Sequence, residues 1–177
     1  GAGIQADLKT FQELECYGMS VITSVVAQNT LGVTGVEHMP IDLLEAQLDA
    51  VFSDMPVHAC KTGMIATIDM LATVRKHLEN KKIPLIIDPV MVATSGDPLI
   101  AEDARQFLRT HLLPLTTIVT PNIPETESIT EATIETEEDM KEAAAEIVHK
   151  YGAKAALVKG GHLTGDAVDF LYDGNQI

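Results

Sequence analysis

Tryptophan is absent from this chain, aromatic residues make up 4% of it, and its 177 residues include only twelve Lys and Arg against 26 acids. The resulting formal charge of −14 repels phosphate backbones and anionic lipid, which argues against nucleic-acid and membrane partners. No apolar run approaches the roughly 18 residues of a membrane helix, and the first residues, Gly-Ala-Gly-Ile-Gln-Ala-Asp, hold no basic stretch leading into an apolar one. A soluble, cytoplasmic protein is the expectation. Two cysteines, Cys16 and Cys60, stand far apart in no Cys-x-x-Cys or metal-ligand spacing, so reduced and partly buried thiols are expected rather than a disulfide framework. The six histidines show no zinc-binding spacing.

Phosphate-binding loops of the familiar kind are missing as well. A Gly-x-x-x-x-Gly-Lys-Ser/Thr segment does not occur. Gly1-Ala2-Gly3-Ile4-Gln5-Ala6 formally fits a dinucleotide fingerprint, yet no strand precedes it and no acid lies between Glu15 and Glu37, so its context fails.

What remains is 46% hydrophobic, enough for a substantial core in a single domain covering 1–177. Apolar spacing predicts a helix over Ile4 to Cys16 stopped by Gly18, then a buried strand over Met19 to Ala27 ending at Gln28-Asn29-Thr30. Helices near 41–52, 68–80, 101–112 and 137–150 alternate with strands ending at Cys60-Lys61-Thr62-Gly63, Asp88, Thr120 and Lys159. Such alternation predicts an α/β fold with a mainly parallel sheet covered on both faces. Val168 to Tyr172 reads as a possible antiparallel edge strand, and the acidic stretch from Glu131 to Glu146 reads as a solvated helix face.

Three apolar runs end in polar groups suited to a magnesium nucleotide: Ile86-Ile87-Asp88-Pro89-Val90, Ile118-Val119-Thr120-Pro121-Asn122 with Glu125 beyond, and Ala156-Leu157-Val158-Lys159-Gly160-Gly161. Parallel strands bring their carboxyl ends to one edge, where open α/β sheets place ligands. Asp88 and Glu125 are hard oxygen donors for Mg2+ or its waters, and Asn122 can join them without adding charge. Lys159 can face phosphates while the two following glycines permit close backbone approach. For a small-molecule pocket, Gln28 offers a donor and an acceptor to a nitrogen heterocycle, Asp7 can hold an amino or hydroxyl group, and Met64 and Val90 can form apolar walls. Each segment alone is ordinary loop or core punctuation; their combination points to function.

The segments GAGIQADLKTF, VVAQNT, KTGM, IIDPVMVATSG, TPNIPE and VKGGHL together resemble the hydroxymethylpyrimidine and phosphomethylpyrimidine kinases of thiamine biosynthesis, in the ribokinase-like superfamily. The resemblance spans nearly the whole chain. It implies a three-layer α/β/α fold and transfer of the ATP γ-phosphate to a pyrimidine alcohol, then to its monophosphate, at one shared site. It places Ala2, Asp7, Gln28, Met64 and Val90 around the pyrimidine, and Asp88, Asn122, Glu125 and Lys159 around Mg2+ and ATP. A homodimer is the further implication. Family members begin with an additional strand and carry a later Gly-Thr-Gly-Cys-type anion hole and base that this chain does not show, so a partial chain without turnover of its own is expected. Neither Cys16 nor Cys60 matches that base position. Alternatives are a pyridoxal or pyridoxine kinase of the same superfamily and a non-catalytic pyrimidine sensor.

Overall fold

The computed structural model describes residues 3–91, 102–161 and 167–177. Ala2 therefore lies outside the described residues, as do parts of the IIDPVMVATSG and VKGGHL segments. Two β assemblies form. A five-stranded sheet is built from β3 (Cys60–Thr62), β4 (Leu85–Ile87), β5 (Ile118–Val119), β6 (Ala156–Val158) and β7 (Phe170–Tyr172), in that spatial order. The first four strands run parallel and β7 pairs antiparallel to β6. The alternating pattern and the antiparallel edge thus stand as read from the sequence. Strands of two or three residues suffice here because the central strands β4, β5 and β6 bury Leu85, Ile87, Val119, Ala156 and Val158 in the core.

The helices follow their apolar spacing. They are α1 (Ile4–Glu13), α2 (Ile41–Asp54), α3 (Ile68–Leu78), α4 (Glu102–Phe107), α5 (Ile123–Thr130) and α6 (Glu137–Tyr151). In α3, Met70, Leu71, Val74 and Leu78 are buried, and Thr67 caps the helix by accepting from the Met70 amide. In α6, Met140, Ala143, Ala144 and Ile147 are buried while the acids face outward; Thr136 and Asp139 close a capping box and Gly152, in left-handed geometry, ends the helix. The acidic stretch is accordingly a solvated helix face from Glu137 onward. After α4 the chain widens into a π turn over Leu108–Leu112 and tightens into a 3-10 turn over Leu113–Leu115, where Pro114 ends the helical hydrogen bonding.

The N-terminal part departs from expectation. The anticipated buried strand over Met19 to Ala27 is instead β1 (Ser24–Asn29), an exposed strand paired antiparallel with β2 (Gly32–His38) in a separate two-stranded ribbon. Rows of Val and Thr suit any half-covered pleat, so β-branched composition alone does not distinguish a ribbon from a core strand. The missed signal is the turn: Asn29-Thr30-Leu31-Gly32 closes the hairpin, with the Asn29 side chain accepting from the Leu31 amide. Helix α5 was also missed, because Pro121-Asn122-Ile123-Pro124 reads as loop although Pro124 sits in the first helical turn, where proline is tolerated. Helix α1 ends at Glu13, before Gly18, with Glu15 in left-handed geometry. Cys16 is exposed rather than partly buried, and Cys60 is half-buried, its thiol pKa pushed up by that burial. Among the described residues no helix is long and apolar enough to cross a membrane.

Candidate functional site

Parallel pairing of β3, β4, β5 and β6 brings their carboxyl ends together, and polar residues follow β4, β5 and β6. The register is closed by backbone bonds across the edge: the Asp88 amide donates to the Thr62 carbonyl at 3.0 Å, Thr120 to Ile87 at 2.9 Å, and Lys159 to Pro121 at 2.9 Å. Asn122 and Lys159 form an isolated parallel bridge just beyond β5 and β6. These bonds fix the Cα positions from which Asp88, Asn122 and Lys159 project.

Their side chains meet. The Lys159 ammonium donates to Asp88 Oδ1 at 3.1 Å. From the other side the Lys61 ammonium lies 3.8 Å from Asp88 Oδ2 and 3.0 Å from Asp7 Oδ1, which draws α1 onto the same edge. Asp7, Lys61, Asp88 and Lys159 thus form a row of alternating charge contributed by α1, β3 and the residues after β4 and β6. Their side chains are between 25% and 38% exposed, so the row is open to a ligand. The sequence reading of Asp7, Asp88 and Lys159 brings the right residues together; Lys61 was overlooked. It stands in the middle of β3, within the Cys60-Lys61-Thr62-Gly63 segment read only as a strand end, although a lysine inside a short strand is itself an unusual charge to half-bury.

Glu125 behaves differently from Asp88. It is buried, and it closes a capping box at the start of α5: its Oε2 accepts from the Asn122 amide at 2.8 Å while Asn122 Oδ1 accepts from the Glu125 amide at 2.9 Å. Burial raises its carboxyl pKa; the Asn122 amide and the Lys159 charge oppose that rise, and the Asp88 charge adds to it. Glu125 therefore lies within electrostatic reach of both Asp88 and Lys159.

The donor set suits a hard divalent cation only in part. Among the described residues no group of three or more His, Cys, Asp or Glu is placed to hold a metal ion. One open carboxylate, Asp88, with Glu125 behind it, fits magnesium, which keeps several waters and takes its remaining oxygens from a nucleotide's phosphates rather than from a full protein cage.

The remaining sequence candidates are placed less tightly. Met64 follows β3, and its carbonyl accepts from Thr23 Oγ1 at 2.8 Å, tying the base of the ribbon to the sheet edge. Val90 is half-buried two residues beyond Asp88, its amide donating to the Asp88 carbonyl at 2.8 Å. Gln28 is not the residue after a buried strand: it is exposed within β1, opposite Val33, beside a break in the ribbon's register. The described contacts do not bring it to the charged row. Gly160 is crowded by its own chain, since a Cβ there would sit 2.0 Å from the Val168 carbonyl oxygen, whereas Gly161 has nothing within 4 Å. Close approach at Gly160 thus serves the return toward β7.

Comparison with known proteins places this geometry. The family model described as phosphomethylpyrimidine kinase matches residues 1–177. A hydroxymethylpyrimidine/phosphomethylpyrimidine kinase of Staphylococcus aureus is 48% identical over 175 residues, covering 97% of this chain and 63% of the relative. The crystal structure of a phosphomethylpyrimidine kinase from Clostridium difficile superposes with a TM-score of 0.90 at 45% identity, covering 99% of this chain and 76% of that one. An ADP complex of Bacillus subtilis pyridoxal kinase superposes with a TM-score of 0.89 at 38% identity, covering 99% and 68%. The chain spans just under two thirds of the length of the curated staphylococcal relative. With a matching family model over its full length and the fold of these kinases, the chain belongs to the phosphomethylpyrimidine kinase family.

Proposed function

We propose that the protein carrying this chain phosphorylates 4-amino-5-hydroxymethyl-2-methylpyrimidine, and then the resulting monophosphate, at the expense of ATP. The observation that carries this reading is the convergence of Asp88, Lys159, Asn122 and Glu125 on one sheet edge, with Asp7 and Lys61 joining from the opposite side. Family membership supplies the substrate class.

In this reading the acceptor hydroxyl oxygen attacks the γ-phosphorus, the bond from that phosphorus to the β,γ-bridging oxygen breaks, and the hydroxyl proton is lost. Little covalent work falls to the protein, which positions the reactants and offsets charge. Lys159 is placed to turn from Asp88 toward the transferring phosphoryl group. Asp88 would hold magnesium, with Glu125 acting through a water, and the metal would supply positive charge against the phosphates. Asp7 would hold an amino or hydroxyl group of the acceptor and Met64 and Val90 would form apolar walls; Gln28 and Ala2 enter this pocket only as the family resemblance implies. We read the chain as one domain, supported by a single contiguous core running from Leu44 to Val158. A homodimer is part of the proposal and is tested by sedimentation.

Replacing Lys159 with methionine should lower kcat by about 100-fold or more, the scale of losing one preorganised charge at the transition state. Steady-state kinetics with magnesium ATP and the pyrimidine alcohol measure it. An unchanged kcat would remove Lys159 from the reaction. The fold shared with pyridoxal kinase favours one competing substrate, so pyridoxal assayed side by side decides between the two alcohols.

A further inference from the structure

Lys61 is the one member of the charged row to which the metal, nucleotide and acceptor readings give no role. Its ammonium lies 3.0 and 3.1 Å from the two Asp7 oxygens and 3.8 Å from Asp88 Oδ2, and its side chain is 28% exposed. Order along the edge gives it a side. Lys159, Asn122 and Glu125 cluster beyond β5 and β6, at one end; Lys61 and Asp7 lie at the other, on β3 and α1. A ligand whose phosphates occupy the Lys159 end meets Lys61 only through the group that receives the phosphate.

The two acceptors differ there by charge. The alcohol is neutral, whereas a phosphomonoester brings close to two negative charges at neutral pH. That anion must be brought against a polyanionic nucleotide in a chain whose formal charge is −14. One cation at the donor end does not serve both phosphates. We propose that Lys61 is the specificity-determining cation of the second phosphorylation: it leaves its contact with Asp88 to pair with the phosphate of the monophosphate acceptor, while Asp7 goes on accepting from its ammonium group. The proposal rests on the acceptor-side reading of Asp7 given above.

The sign of the effect is set by what remains when Lys61 is removed. Asp7 and Asp88 then face the acceptor without the ammonium between them, so an anionic acceptor loses an attraction and meets repulsion, while a neutral one meets neither. Arginine keeps the charge and suits phosphate geometry.

The test measures dissociation constants for the pyrimidine alcohol and for its monophosphate by calorimetry, without nucleotide, on the protein carrying this chain and on K61M, K61Q and K61R. In K61M and K61Q the affinity for the monophosphate should fall at least about tenfold more than that for the alcohol, the scale of one charge-assisted hydrogen bond. K61R should restore most of the difference, and the ratio of kcat/KM values for the two acceptors should move in parallel. Two variants guard against one that fails to fold, and thermal melting checks both. Equal losses for the two acceptors overturn the proposal and reduce Lys61 to a support for the sheet edge. If the unmodified protein binds neither pyrimidine, the substrate reading fails first and this inference falls with it.

Discussion

Two carboxylates at the same sheet edge do different work because their surroundings differ. Asp88 is a quarter exposed and already paired with Lys159 and Lys61, so its oxygens face cationic partners at the open edge. Glu125 is buried and holds the Asn122 amide, so its charge is costly and its shape is structural. The two roles separate by substitution. Glu125→Ala should destabilise the fold by about 0.5–2 kcal/mol through the lost cap and abolish magnesium-dependent turnover. Glu125→Gln, which keeps an acceptor for the Asn122 amide, should cost less stability than Glu125→Ala, yet still lose most of its magnesium response. Differential scanning calorimetry and a magnesium titration of ATP turnover read the two effects. A Gln variant with full magnesium response would confine Glu125 to the cap.

At the scale of elements, helix ends account for much of the local order. Helix α6 begins at Thr136 and Asp139, whose carboxylate accepts from the Thr136 hydroxyl and from the Glu135 and Thr136 amides. Those bonds, the hydroxyl's foremost, hold its pKa below the usual aspartate value. A depressed native pKa means the unfolded chain takes up the proton first on acidification. The contribution to stability is therefore complete above the ordinary aspartate pKa and is lost as pH falls through the lower native one. Asp139→Asn should remove that pH dependence: its urea midpoint should fall less steeply than that of the unmodified protein between about pH 4 and pH 2. Parallel slopes in that window would show the cap to be neutral. The ribbon of β1 and β2 contrasts with α6: among the described residues its side-chain ties to the body lie at its base, where Gln47 brackets the Ile22 amide and carbonyl and Thr23 reaches Met64.

Over the whole molecule, one core links the helices to the sheet, and Ile147 on α6 is fully buried within it. Truncating it to alanine should cost about 2–5 kcal/mol, the loss of transfer energy plus the cavity left behind. Chemical denaturation with an unchanged slope is the expected signature; a loss under about 1 kcal/mol would mean that α6 collapses into the gap. Charge acts at the same scale. With a formal charge of −14, the cationic groups at the sheet edge work against the field of the rest of the chain, which favours ligands arriving with their own metal.

Periodicity in the sequence was enough to determine the alternation of helices and strands, the mainly parallel sheet and the antiparallel edge, because burial imposes a 3.6-residue repeat on one element and apolar runs on the other. Residue chemistry named Asp88, Asn122, Glu125 and Lys159 at the strand ends and Asp7 in the first helix, and the family motifs agreed. Tertiary structure decided the rest. That β1 leaves the core for a ribbon depends on its pairing with β2, and a one-dimensional pattern of valines is the same in either setting. That Lys61 joins Asp7 to Asp88 depends on α1 folding back over β3, bringing together side chains 54 positions apart through a contact that local sequence does not encode.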